Sequence, residues 1–149
     1  MPAILIIAHA PLATALKALA THAYPERARL VAALDVLPDV PVEEIEAQAR
    51  ALLPEAAGAE TLVLTDVFGA TPCNAAQRLT DTPQVRVVAG VNVPMLWRCL
   101  CYASESLEAM AGRAVSGATQ GVMQVASARP QTQTLKTGAN DQDHRHHQQ

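Results

Sequence analysis

Hydrophobic and polar positions alternate between two regimes along this chain. Ala3, Ile4, Leu5, Ile6, Ile7 and Ala8 form a continuous run of mostly branched apolar residues, the pattern of a central parallel strand buried on both faces. The run stops at His9. Pro11 suits the first position of a helix, where no amide proton is required, and Leu12, Ala15, Leu16 and Leu19 then repeat at helical spacing to about Thr21. A strand followed by a helix is the expected opening unit.

The unit recurs. Arg29 to Val36 reads as a second strand and Val42 to Leu53 as a helix, with Glu43, Glu44 and Glu46 in its first turns to complement the helix dipole. Leu62 to Thr65 reads as a third strand. Thr71 as N-cap and Pro72 as first helical residue start a helix to about Leu79; Val85 to Ala89 is a fourth strand before Pro94 opens the next helix. Leu107, Met110, Ala111 and Ala114 keep a helical period across Ser104 to Ser116. Gly117 and Gly121 bracket its end, and Val122 to Ala126 reads as a short last strand.

Four strand-to-helix units predict an α/β fold: a doubly wound, mainly parallel sheet of order 2-1-3-4 with helices on both faces, and a short antiparallel fifth strand. The chain of 149 residues is expected to hold one domain, over 1–128. From Pro130 onward there is almost no apolar residue apart from Leu135, so 129–149 is expected to be a disordered polar tail.

Composition narrows the function. A net charge of -3 and only two lysines, Lys17 and Lys136, argue against a surface built for a polyanion, and no nucleic-acid partner is expected. No apolar run near the start approaches the roughly 20 residues of a membrane span, and no signal-peptide pattern is present, so a cytoplasmic protein without direct membrane insertion is expected. Cys73, Cys99 and Cys101 are odd in number and lack metal or disulfide spacing, which fits a reducing compartment.

In open parallel sheets, ligands bind beyond the carboxyl ends of the strands, where the strand order reverses. The residues just past the four strands are His9, Asp35, Asp66 and Asn92. With order 2-1-3-4, strands 1 and 3 flank that point and bring His9 beside Asp66. A carboxylate on one imidazole nitrogen fixes the tautomer, leaves the other nitrogen with its lone pair outward and stabilises the positive ring formed on attack. Amide groups at the start of the helix at Thr71, the Thr71 hydroxyl and close backbone approach at Gly69 can hold a phosphate nearby. Taken singly, His9 reads as a buried structural histidine, Asp66 as a turn residue and Thr71-Pro72 as a plain helix start; the combination points to phosphoryl chemistry.

Three segments extend that reading: IIAHAPLA around His9, TDVFGATPCNAA from Thr65 to Ala76, and AGVNVPML from Ala89 to Leu96. In order and spacing, over about the first 125 residues, they resemble the mannose-type enzyme IIA domain of the bacterial phosphoenolpyruvate-dependent sugar phosphotransferase system. The resemblance implies that His9 accepts phosphate from the phosphohistidine of HPr, the general phosphocarrier, and passes it to a IIB component. It implies that Asp66 orients His9 and that Thr71, where the family more often has serine, helps bind phosphate. Asn92 and Pro94 become site-wall residues, although an ordinary strand-to-helix turn explains them equally well. A homodimer exchanging its last strand is also implied.

The resemblance leaves two classes of function open. One is phosphotransfer in sugar uptake, which needs no cofactor, metal or nucleotide because the donor is itself a phosphohistidine. The other is a regulatory module whose phosphorylation at His9 decides which protein it binds; the absence of an attached IIB domain and the long tail lean toward it. The related phosphotransfer subunit of dihydroxyacetone kinases shares the histidine but fits the second and third motifs less well. His144, His146 and His147 read as a solvated tail segment rather than a metal site, His22 as a partner for a helix C-terminus, and the three cysteines as packing residues.

Overall fold

The computed structural model describes residues 1–127. Nine elements carry the fold: β1 (Ala3–His9), α1 (Leu12–Ala23), β2 (Val31–Val36), α2 (Val42–Leu52), β3 (Thr61–Thr65), α3 (Thr71–Gln77), β4 (Val85–Ala89), α4 (Val93–Cys101) and α5 (Leu107–Gln120). The four strands form one parallel sheet of order β2-β1-β3-β4, the order expected. The expected tail over 129–149, with His144, His146 and His147, lies outside the described residues.

The continuous apolar run of β1 exists because both of its faces are covered. Ile4, Ile6 and Ala8 pack with Leu62 and Leu64 of β3 against Ala13, Leu16 and Ala20 of α1, Met95 and Leu96 of α4, and Met110 of α5. On the other face Leu5, Ile7 and Val63 meet Ile45 and Ala49 of α2 and Ala75 and Ala76 of α3. Ile4, Ile6, Ile7, Leu62 and Leu64 have no exposed surface, and each such side chain contributes about 1.5–3 kcal/mol through burial. Among the described residues, no helix is long and apolar enough to cross a membrane.

Several sequence expectations are corrected. Val122 to Ala126 forms no strand in this chain; Val122 and Val125 are 75% and 82% exposed, and the segment pairs with neither edge strand of the sheet, β2 or β4. Pro11 is the N-cap of α1 rather than its first residue. Ala70, extended at φ -90°, ψ 170°, is the N-cap of α3; its carbonyl accepts the Asn74 amide, which puts Thr71 and Pro72 inside the helix. The second strand starts at Val31, after a short 3₁₀ turn over Ala28–Leu30. Helix α5 begins only after Ser106, whose hydroxyl accepts the Ala109 amide, and it runs through Gly117 to a C-cap at Gly121.

On α1 the buried face is Ala13, Leu16 and Ala20, whereas Leu12 and Leu19 are exposed. Both stripes share Leu16 and have helical period. The small alanines let α1 lie close on the sheet.

Candidate functional site

His9 is the last residue of β1, and Asp66 follows the last residue of β3. Ile7 pairs with Thr65 in the parallel register, so the two chains leave the sheet side by side. Asp66 Oδ2 accepts the backbone N–H of His9 at 2.9 Å and lies 2.7 Å from its ring Nδ1. The second oxygen, Oδ1, accepts the Val67 amide at 2.8 Å. One side chain thus grips both the main chain and the ring of His9 while being anchored by its own turn.

The electrostatics follow from those contacts. Burial acts against ionisation of Asp66, but the His9 amide, the His9 ring, the Val67 amide and the charge on His9 outweigh it and hold the carboxyl below its ordinary value. An ionised carboxylate has no proton to give, so the hydrogen in the 2.7 Å contact sits on Nδ1, and in the neutral form of the ring the lone pair is then on Nε2. The Asp66 side chain is 15% exposed and that of His9 54%. The His9 side chain is open to solvent while the carboxylate that holds it is sheltered.

His9 borders a cleft of about 390 Å³ whose other walls are Ala10, the Val36–Val40 segment and Thr71. The first residue of α3 therefore shares the cleft with His9, and a helix start carries partial positive charge suited to an anion. Arginine and lysine are missing from the residues that line this cleft. The wall made by Leu37, Pro38, Asp39 and Val40 has only a weak sequence signal, a Pro-Asp pair just after a strand, and Asp39 turns it with φ of 67°.

The remaining expected residues sit apart from the cleft. Gly69 takes φ of +93° in the turn between Asp66 and α3, a conformation that L side chains rarely adopt, and its carbonyl accepts from Asn74 Nδ2 at 3.4 Å. Asn92 is the N-cap of α4: its Oδ1 accepts the Met95 amide at 2.9 Å and its Nδ2 donates to the Ala118 carbonyl at 3.4 Å. Pro94 packs beneath Gly121 of α5. Asp35 turns toward α1 and accepts from Thr14. His22 falls in the last turn of α1. Cys73 and Cys99 are buried and Cys101 is exposed. Among the described residues, no group of three or more His, Cys, Asp or Glu side chains converges as metal ligands would.

Comparison with known proteins gives a consistent picture. Residues 3–115 match the family model EIIA-man, described as the fructose IIA component of the PTS system. The mannose/sorbose-specific IIA subunit of the phosphotransferase system from Enterococcus faecalis is 27% identical with a TM-score of 0.78, covering 86% of this chain and 97% of its own. A PTS IIA protein associated with the fucose utilisation operon of Streptococcus pneumoniae superposes with a TM-score of 0.71 at 24% identity, covering 91% of this chain and 96% of its own. The phosphotransferase system component EIIA of Streptococcus agalactiae does so at 0.74 and 19%, covering 83% and 97%. None of the curated proteins matches the chain.

Proposed function

The chain belongs to the EIIA-man family of phosphotransferase-system IIA components, and we propose that it is a phosphocarrier that takes a phosphoryl group on Nε2 of His9 from phospho-HPr and passes it to a IIB component. The observation that carries this reading is the 2.7 Å contact between His9 Nδ1 and Asp66 Oδ2 at a ring left 54% exposed.

In the forward step the Nε2 lone pair attacks phosphorus in line. The N–P bond of the donor breaks as the new one forms, and its electron pair stays on the donor imidazole. Attack makes the His9 ring cationic, and the ionised Asp66 beside Nδ1 stabilises that charge without a proton changing hands. Thr71, at the start of α3, lines the same cleft and offers its hydroxyl to a phosphoryl oxygen. Cations needed to offset the remaining charge come from the protein partner, since the lining residues supply none.

Surface chemistry supports a protein donor rather than a small molecule. Leu37, in the cleft wall, and Val67 and Phe68, just after Asp66, are 60%, 52% and 76% exposed. Large apolar side chains crowded around a reactive residue suit contact with another protein surface. The phosphocarrier works in the cytoplasm, where its donor is, and as a homodimer whose second copy covers the exposed Val122, Met123 and Val125.

Incubation with phosphoenolpyruvate, enzyme I and HPr, followed by intact mass and mapping of an acid-labile phosphate, tests the reading. One phosphoryl group on His9 is the expected result. None, with partners that phosphorylate a control IIA protein, would overturn it. A His9 phosphate that no IIB component removes would move the role to regulation of a binding partner.

A further inference from the structure

Asp66 is not the only aspartate that holds the His9 segment. Asp35, in β2 on the opposite side of β1, pairs with Ala8 in the sheet register, one residue before His9. Its side chain crosses to α1: Oδ1 accepts the Thr14 amide at 3.1 Å and Oδ2 accepts the Thr14 hydroxyl at 2.7 Å. Thr14 lies in the first turn of α1, three residues after the N-cap Pro11.

That helix start lacks the usual local devices. Pro11 supplies no side-chain cap, and no acidic residue stands in the first turn, where a carboxylate would both satisfy a free amide and complement the dipole. Asp35 fills both roles from another strand. The connection between His9 and α1 is only Ala10 and Pro11, and Ala10 donates its N–H to the Val36 carbonyl at 3.0 Å. β2 therefore holds this short turn twice, by main chain at Ala10 and by the Asp35 carboxylate at Thr14.

We propose that Asp35 is a positioning residue for His9, acting through Thr14 and the first turn of α1 to fix the angle at which the histidine leaves β1 and meets Asp66. The proposal deepens the phosphocarrier reading and rests on it for its rate measurement, but not for its spectroscopic one. The two aspartates on either side of β1 then have separate roles, Asp66 holding the ring and Asp35 holding the helix that follows it.

The test uses Asp35→Ala, Asp35→Asn and Thr14→Val in the full chain. Its readouts are the rate of phosphoryl acceptance from phospho-HPr across donor concentrations and the ¹⁵N shifts of the His9 ring nitrogens. Asp35→Ala is expected to lower the rate at saturating donor about tenfold, the scale of a small misplacement of a reacting group, while the half-saturating concentration stays unchanged. The His9 ¹⁵N shifts should move toward each other as a preference for the Nδ1–H tautomer is lost. Asp35→Asn, which keeps one acceptor oxygen, should recover part of both effects, and Thr14→Val should show a weaker version. Folded Asp35→Ala with wild-type rate and wild-type ring shifts would overturn the proposal and leave Asp35 a plain helix cap. If Asp35→Ala fails to fold, unchanged ring shifts in both Asp35→Asn and Thr14→Val overturn it instead. A wild-type protein that takes no phosphate would sink the phosphocarrier reading alone, because the ring shifts still report on Asp35.

Discussion

A single carboxylate oxygen, Oδ2 of Asp66, accepts the backbone amide of His9 at 2.9 Å and lies 2.7 Å from its ring nitrogen Nδ1. Holding the backbone amide and the ring by the same oxygen leaves the His9 side chain little freedom about χ1 and χ2 before any partner arrives. His9→Ala should accept no phosphate from phospho-HPr. Asp66→Ala keeps the nucleophile but loses its tautomer and tilt, and acceptance should slow by roughly 10²-fold, the low end of what an oriented acid-base pair contributes. Rapid-quench labelling separates the two variants; normal labelling of His9→Ala would place the chemistry elsewhere.

The same contact sets an acid limit. Asp66 is held below the ordinary aspartate value of about 4, so the folded state binds its proton less readily than the unfolded chain does. Its contribution to stability is therefore fully present above the ordinary value and is lost as pH falls through the lower folded value. The difference in Tm between the wild type and Asp66→Asn should shrink below about pH 4 and vanish in stronger acid. An equal gap at both ends of that range would mean that the Asp66 charge does not stabilise the fold.

Much of this site is legible in the amino-acid sequence. The apolar run ending at His9 specifies a strand buried on both faces, and the expected order 2-1-3-4 puts β1 beside β3, which brings Asp66 to His9. What the sequence hides has identifiable causes. The contact from Asp35 to Thr14 spans 21 positions, and a cap delivered from another strand leaves no local pattern. On α1 hydrophobicity favours the stripe of Leu12 and Leu19, whereas the sheet takes the face of Ala13 and Ala20, because close packing there depends on small size rather than on apolar character. Asn92 and Pro94 follow a strand and suit site wall or turn equally by sequence; their contacts with Met95, Ala118 and Gly121 are those of a packed helix start.

Thiol reactivity should divide sharply among the three cysteines. Cys73 and Cys99 are buried and Cys101 is exposed; burial pushes the Cys99 thiol up to about 12, so it holds its proton at any working pH. An aromatic disulfide reagent added to native protein should modify one thiol rapidly, at Cys101, and all three only after denaturation. Rapid loss of Cys99 in the native state, read by peptide mapping, would contradict the packing of α4 on the sheet.

Helix α5 offers a paired test of how α4 is held. A Cβ built on Gly121 would clash with the ring of Pro94, whereas one on Gly112 meets nothing within 4 Å. Pro94 belongs to a rigid ring in the first turn of α4 and cannot swing aside as a flexible side chain would. Gly121→Ala must therefore part the two helices and should cost about 1–3 kcal/mol, as overpacking does. Gly112→Ala sits in the middle of α5 with open space around it and should stabilise by about 0.5–1 kcal/mol through helix propensity and a less flexible unfolded chain. Urea midpoints of the two variants should move in opposite directions. Because Asn92 caps α4 and also donates to Ala118 of α5, Gly121→Ala should shift the Asn92 side-chain amide resonances while leaving those of the His9 ring in place. Movement of the His9 signals with Gly121→Ala would tie the α4–α5 junction to the site and make Asn92 and Pro94 part of its support.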